Sequence, residues 1–344
     1  ISGLMAKHKK FERSENYTFY SDLLWCCVPL TGMACYYYGM RPALLMLAGL
    51  LTAYLFDCAL APLHGEGYQS HEPSSECFAA LIVLMMPATV SYAVVVAAVI
   101  AAVLVKEAFG GEGHFPFHPA AVGMAVAGIS WPEQLYVYPV PGTKLPLLNS
   151  ALKYASVEGM NATLRGGGLP SDSTMELLTG NVSGGMGICA SLVIVACGLF
   201  LLTRGHLRPA VLIPFFVVCV GLPWLFPQLN ELPFFSAPWQ FVRQRIYLEK
   251  YILLSGTTLF GGLFLACEPV TMPNRTNAQV AYGIILGVAV FFFRNLSPYE
   301  TPMCFALLIV DAIPEWLDLI SHRTERIRFM KKEEQRLAQS SDTE

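Results

Sequence analysis

Uncharged apolar runs succeed one another along the chain, at residues 23–40, 42–56, 78–105, 115–132, 183–203, 209–227, 251–267, 276–293 and 301–310, the last continuing weakly past Asp311. A helix needs about 20 mainly apolar residues to cross a hydrocarbon core of about 30 Å. The 78–105 run is too long for one straight crossing at about 1.5 Å per residue, and Pro87 with Ala88 and Thr89 supplies a break. The pattern predicts an all-α integral membrane protein with about ten transmembrane segments. Several are short or broken by Pro and Gly, notably 78–87, 115–132 and 301–318, as half-helices and re-entrant elements are. Backbone groups freed by such breaks need protein or a lined cavity to satisfy them, so a buried polar interior is expected.

Between the runs, only 133–182 and 228–250 exceed turn length, and neither is large enough for a soluble catalytic domain. The expected organisation is a cytoplasmic segment 1–21, a polytopic membrane domain 22–320 with 133–182 as an outside loop, and a charged cytoplasmic tail 321–344. The excess of Lys and Arg at both termini and in the short loops carrying Arg204 and Arg275 places those parts inside. Lys7, Lys9, Lys10 and Arg13 precede the first run as in a signal peptide. No small-residue cleavage site follows them, so the run is taken as an anchored helix.

Composition agrees: 54% of residues are hydrophobic and 14% charged, against about 25% charged in soluble domains. A net charge of −3 without a long internal basic stretch gives no support for a nucleic-acid partner. The ten cysteines form no CxxC pair and sit mostly in apolar runs. There they act as small hydrophobes, and no metal or iron–sulfur site is expected.

Three segments stand out chemically. Phe109-Gly110-Gly111-Glu112-Gly113-His114-Phe115-Pro116-Phe117-His118-Pro119-Ala120 reads first as a tight inside loop joining two spans, with a close backbone approach to backbone or cofactor as the alternative. In Cys267-Glu268-Pro269-Val270-Thr271-Met272-Pro273 a carboxylate ends an apolar span, as an ion ligand, as a helix-packing partner or as a group emerging into water; Asp57 and Asp311 raise the same question. The outside loop from Gly166 to Asn181 leads into Ser183-Gly184-Gly185-Met186-Gly187, where Ser183 is positioned to cap the next helix and leave free N–H groups for an anion.

In this order the three segments resemble the RnfD/NqrB family, the membrane subunits of the Rnf and sodium-pumping NADH:quinone oxidoreductase complexes. Phe109 to Ala120 is similar to the family's FGGxGxNxFNPA stretch, Cys267 to Pro273 to its TDPVTSP stretch, and Gly180 to Gly187 to its GNxxGxxG stretch. The resemblance spans about residues 15 to 320, and the short length looks more like RnfD than NqrB. It implies an FMN joined through its phosphate to a Thr hydroxyl in an outside S-G-A-T motif. The matching position is Ser171-Asp172-Ser173-Thr174, which carries the covalent FMN to Thr174, with Gly184, Gly185, His114 and His118 as further cofactor-binding candidates and a second, non-covalent flavin as an option. The chain departs from the motif at Asp172, Ser173 and Met175. A carboxylate beside a phosphate repels it, and Ser171, Ser173 and Thr179 are alternative hydroxyls.

The resemblance further implies a subunit, inactive alone, of a complex coupling electron transfer between ferredoxin and NAD to translocation of Na⁺ or H⁺. Glu268, Asp57 and Asp311 are the candidates for the ion path. Implied partners are the other complex subunits, above all an outside-facing flavin subunit, together with a flavin transferase and the lipid of a bacterial inner membrane, with both termini cytoplasmic. Alternative readings are a solute channel or transporter without redox chemistry, and a scaffold subunit without flavin.

Overall fold

The computed structural model describes residues 2–60, 73–111, 113–148, 156–228 and 237–326, with side chains in the first helix from residue 16 onward. It is built from helices joined by short breaks. In chain order these are α1 (Ser2–Tyr38), α2 (Arg41–Leu60), α3 (Ser74–Met85), α4 (Tyr92–Ala108), α5 (Pro119–Ser130), α6 (Pro132–Leu135), α7 (Met160–Arg165), α8 (Thr174–Thr179), α9 (Ser191–Thr203), α10 (Pro209–Leu225), α11 (Val242–Leu254), α12 (Thr257–Phe264), α13 (Thr276–Leu296) and α14 (Pro302–Val310). A helical stretch over 314–326 follows and runs to the edge of the described residues. One antiparallel pair, β1 (Val137–Pro139) with β2 (Ser156–Glu158), lies in the long loop, with Tyr138 opposite Val157.

Ten of these helices fall into two sets of five that repeat one packing scheme. In the first, α1 packs on α3, α2 on α4, α3 on α5 and α4 on α5; in the second, α9 packs on α12, α10 on α13, α12 on α14 and α13 on α14. The short third helix of each set is followed by a proline step, Met86-Pro87 directly after α3 and Glu268-Pro269 one turn beyond α12. The fifth begins with proline, Pro119 or Pro302, whose fixed φ and missing N–H suit a first helical turn.

The break at Pro87 lies where the apolar pattern placed it. Three expectations are corrected. The 251–267 run is not one segment, because Ser255 and Gly256, the latter at φ +68°, separate α11 from α12. The stretch 228–250 is not all loop, since α11 starts at Val242; its first turns carry Arg243, Arg245, Glu249 and Lys250, of which Arg245 and Glu249 turn inward while Val242, Ile246 and Tyr247 face outward, which hid the helix from a search for uncharged runs. Residues 183–190 are not helical, and α9 starts only at Ser191. Residues 327–344 of the predicted tail lie outside the described residues.

Only α2 and α13, among the described helices, are long and apolar enough to cross a bilayer unaided; α3, α5, α9 and α10 are apolar but shorter. The exterior is nonetheless apolar: Trp25, Leu47, Leu51, Leu55, Leu199, Ile213, Val217 and Ile309 all face outward. The interior holds Arg41, Lys106, Arg245, Glu268 and Asp311. Apolar outside and charged inside is the arrangement of a protein solvated by lipid. Close helix contact relies on small residues. A Cβ at Gly283 of α13 would stand 2.3 Å from the Val211 carbonyl oxygen of α10, and one at Gly287 2.8 Å from Val218 Cβ. This four-residue spacing lets the two backbones approach.

Charge counting along the chain assigns Arg41, Arg245, Arg294 and Lys106 to loops. All four are buried. Arg41 donates to the carbonyls of Ala88 (2.8 Å), Val90 (3.0 Å) and Pro146 (3.1 Å), satisfying backbone that the break after α3 releases.

Candidate functional site

The long loop is assembled on the face where α1 ends. Tyr37 donates from its hydroxyl to the Thr179 carbonyl (3.1 Å) and Lys144 to the Tyr36 carbonyl (2.7 Å). From α11, the Tyr251 hydroxyl lies 2.6 Å from the Pro170 carbonyl and 2.7 Å from that of Asp172, and Lys250 donates to the latter at 3.2 Å. These contacts pin residues 170–172 beside an open cleft of about 570 Å³ whose lining includes Pro141, Glu158, Thr163, Ser171, Asp172, Asn181 and Ser183. That volume lies within the roughly 300–1,000 Å³ typical of cofactor pockets.

Thr174 opens α8 beside this cleft. Ser173 is the N-cap: its hydroxyl accepts from the Glu176 N–H (3.2 Å), and the Glu176 carboxylate accepts from the Ser173 N–H (2.7 Å). This reciprocal pair satisfies two donors that a helix start leaves open. The backbone N–H and hydroxyl of Ser173 hold the Glu176 carboxyl below the usual range. Thr179 donates its hydroxyl to the Met175 carbonyl (2.8 Å). Of these hydroxyls, that of Thr174 is exposed and makes no hydrogen bond among the described residues. The local charge is mixed, with Asp172 and Glu176 near Thr174 and the Lys250 ammonium over the rings of Tyr251 (4.3 Å) and Tyr247 (5.0 Å).

Ser183 caps no helix, and the anion-binding role expected of the N–H groups after it is lost to α3. Met186 donates to the Met86 carbonyl (2.9 Å) and Gly187 to that of Leu84 (2.7 Å), so the turn over 185–188 closes the open end of α3. Gly185 permits the approach, since a Cβ there would lie 2.5 Å from the Met85 carbonyl oxygen. Gly184 lines a small cavity beside the cleft together with Asn161, Ser255 and Glu300.

The acidic candidates divide into two groups. Glu268 is buried one turn beyond α12; Tyr20 donates to one carboxylate oxygen, and the N–H groups of Val270 (2.9 Å) and Thr271 (2.8 Å) donate to the other. Asp311, also buried, accepts from the Tyr282 hydroxyl (2.8 Å) and from the backbone N–H of His118 (2.9 Å). Phe78 of α3 joins the two, its ring edge-on to Tyr20 at 5.6 Å and to His118 at 5.4 Å. Asp57 stands apart, taking Lys106 (3.3 Å) and Ser75 (3.1 Å) as partners.

The two histidines are not brought together. His114 is exposed, while His118 is 0% exposed and neither ring nitrogen has a hydrogen-bond partner. Its backbone, rather than its imidazole, makes the polar contact.

Sequence reasoning missed Lys250, Asn161 and Glu300. Lys250 and Glu300 sit in stretches that read as solvent loops, and a lone Asn after a glycine carries no periodic signal. A search for acids flanked by apolar segments would have found Glu300, placed between the 276–293 and 301–310 runs.

Residues 10–325 match the family model described as the NQR2, RnfD, RnfE family. The chain is 24% identical over 326 residues to a Cronobacter sakazakii protein named as a subunit of the ion-translocating oxidoreductase complex, covering 85% of this chain and 89% of the relative. A Yersinia pseudotuberculosis protein of the same name is 23% identical over 339 residues, covering 88% and 91%. One from Pectobacterium carotovorum is 26% identical over 257 residues, covering 65% and 69%.

Proposed function

The chain belongs to the NQR2, RnfD, RnfE family, and from that membership we propose that it is the flavin-carrying membrane subunit of an Rnf-type complex. The complex couples electron transfer between ferredoxin and NAD to translocation of Na⁺ or H⁺. The subunit crosses a bacterial inner membrane in about ten segments, several of them half-helices, with both termini cytoplasmic and the 133–182 loop outside.

The observation that carries this reading is the setting of Thr174. Its hydroxyl is exposed and unbonded at the start of a capped turn, beside a cleft of cofactor size, while Ser173 and Thr179 use theirs in helix contacts. A flavin transferase would reach such a hydroxyl from solvent, and Thr174 Oγ1 is the atom that would hold FMN through its phosphate. Polar groups of Ser171, Asn181 and Ser183 line the cleft for the ring. Lys250 is the cation at hand to offset the phosphate against Asp172 and Glu176. When bound, FMN supplies one- and two-electron redox chemistry.

The chain's own residues serve the ion path. Glu268 and Asp311 place two carboxylates in the buried interior where the short helices end, each held by a tyrosine hydroxyl. An intramembrane carboxylate with fixed donors is positioned to take up a cation and release it. Electrons pass to and from an outside-facing flavin subunit of the complex.

The test is in-gel ultraviolet fluorescence of the denatured chain, co-expressed with its flavin transferase, against Thr174→Ala. A band lost in the variant supports the reading. A band that persists moves the ester to Ser171 or another hydroxyl. No band beside a flavinylated control protein favours a scaffold subunit.

A further inference from the structure

Beside the outer cleft, sharing Met160, Val182 and Ser183 with it, lies a small cavity of about 20 Å³, lined by Asn161, Ser183, Gly184, Ser255, Gly256 and Glu300 among others. About 10–15 Å³ suffices for one water-sized occupant, so the space admits a single ion or water and no ring.

Its polar lining is unbalanced. Glu300 is 6% exposed and Asn161 2%. Glu300 Oε2 accepts from the Asn161 backbone N–H (3.2 Å), while Oε1 has no hydrogen-bond partner. The Asn161 amide donates from Nδ2 to the Glu300 carbonyl (3.1 Å), which fixes its orientation and leaves Oδ1 without a partner. The Ser255 hydroxyl donates to the Tyr251 carbonyl, leaving its lone pairs available. Two buried acceptors of the lining, Glu300 Oε1 and Asn161 Oδ1, are thus without partners beside the hydroxyls of Tyr138 and Ser183 and the thiol of Cys189, and a buried unpaired acceptor costs about 1–3 kcal/mol.

The backbone is shaped to keep this arrangement. A Cβ at Gly159 would lie 2.4 Å from Glu300 Cδ and Oε2, and one at Gly256 3.2 Å from Asn161 Nδ2. A side chain at 159 would displace the Glu300 carboxylate from this position.

Two arginines act on the Glu300 charge, Arg165 and Arg294. Both direct their guanidinium donors elsewhere, Arg165 to the Ser297 carbonyl and Arg294 to the Ile252 carbonyl and the Thr258 hydroxyl. Neither forms an ion pair with Glu300 among the described residues.

We infer that this cavity is a binding site for one monovalent metal cation, held by Glu300 Oε1 and Asn161 Oδ1. Hard cations take oxygen ligands, and two buried oxygens without partners, one of them from a carboxylate, suit such a cation. A single carboxylate matches a single charge, since a divalent ion beside one carboxylate, whose charge Arg165 and Arg294 already offset from a distance, lacks compensating anions. The same arginines hold the affinity low, which a site on a translocation route requires for release. The cavity shares Met160, Val182 and Ser183 with the outer cleft, so the site opens toward the face proposed to carry the flavin. The inference rests on the ion-translocating reading for its role, but not for its chemistry.

The experiment is equilibrium binding of radioactive sodium to the full chain in lipid nanodiscs, co-expressed with flavin transferase, at constant ionic strength with choline as the replacing cation. Flavin fluorescence is read on the same samples. Saturable millimolar binding is expected in the native chain, with the dissociation constant raised about tenfold or more by Glu300→Gln and by Asn161→Ala, and flavin content unchanged. Saturable binding that neither variant alters overturns the site. Absence of saturable binding in a flavinylated native chain also overturns it and leaves water as the occupant. Should Glu300→Gln fail to fold, Asn161→Ala decides alone. Sodium binding that needs Glu300 in a chain without flavin upholds the site while the flavin reading falls.

Discussion

The Tyr20 hydroxyl reaches the Glu268 carboxylate across 248 positions of sequence, tying the first helix to the break after α12. The other carboxylate oxygen closes on the N–H groups of Val270 and Thr271. One acidic side chain thus caps its own chain reversal and anchors a distant helix. Glu268 is therefore a structural joint and an ion-path candidate together, and the two roles need separate measurements.

Tyr20→Phe removes one donor and leaves a buried carboxylate oxygen unpaired. The expected cost is about 1–3 kcal/mol, read as a lowered midpoint of thermal unfolding in detergent. Glu268→Gln keeps a hydrogen-bonding group in place, so it should lower ion-linked activity of the complex well below native while flavin fluorescence stays near native. An equal loss of both would count against the ion-path role.

Lys106 lies fully buried between Asp57 (3.3 Å) and Glu107 (3.4 Å), with Ser75 2.7 Å away. Lys106→Met strips the cation from two buried carboxylates and should destabilise by about 3–5 kcal/mol. Adding Asp57→Asn should recover part of that loss in a double-mutant cycle. Additive losses would show that the contact carries no coupling.

Gly185→Ala puts a Cβ against the Met85 carbonyl oxygen, where the 183–190 stretch closes the end of α3. The expected penalty is about 1–3 kcal/mol from overpacking. Gly32 and Gly221 lie within helices with nothing near an added Cβ. Alanine at either should be neutral or stabilise by up to about 1 kcal/mol through helix propensity. Equal effects at all three positions in thermal unfolding would refute the close-approach argument.

Ser173→Ala removes the cap of α8 at a cost of about 0.5–2 kcal/mol, seen as faster amide exchange over 174–180 and a lower flavin yield at Thr174. The Glu176 carboxyl, held low by Ser173, contributes its half of the cap fully above the ordinary carboxylate pKa. That contribution fades as pH falls through its depressed value. Exchange in this segment should accelerate in acid in the native chain and do so less in Glu176→Gln.

The apolar runs are enough to give the helical class, the break at Pro87 and most helix positions, because burial in lipid demands uncharged stretches wherever the helices run. They conceal α11 and the break at Gly256, because there polar and apolar residues mix and the decisive factor is which side chains turn inward. The segments carrying the family resemblance single out Thr174 and Glu268 as candidates and the glycines of 184–187, of which Gly185 and Gly187 meet α3 too closely for a Cβ. The two matching sets of five helices leave almost no trace beyond a proline step and a proline start in each. Packing schemes repeat through backbone geometry, which many sequences satisfy.

Only the tertiary structure decided which charges are buried and what they meet. Arg41, Lys106 and Arg294 look like loop cations along the chain, yet each lies inside, because a partner distant in sequence provides the carbonyl or carboxylate that offsets desolvation. The same holds for Glu300 and Asn161, whose unpaired oxygens exist only because two loops converge on one cavity. The order of residues determines which chemical groups are available to a site, while the charge that a cavity between them favours depends on how the chain brings donors and acceptors together.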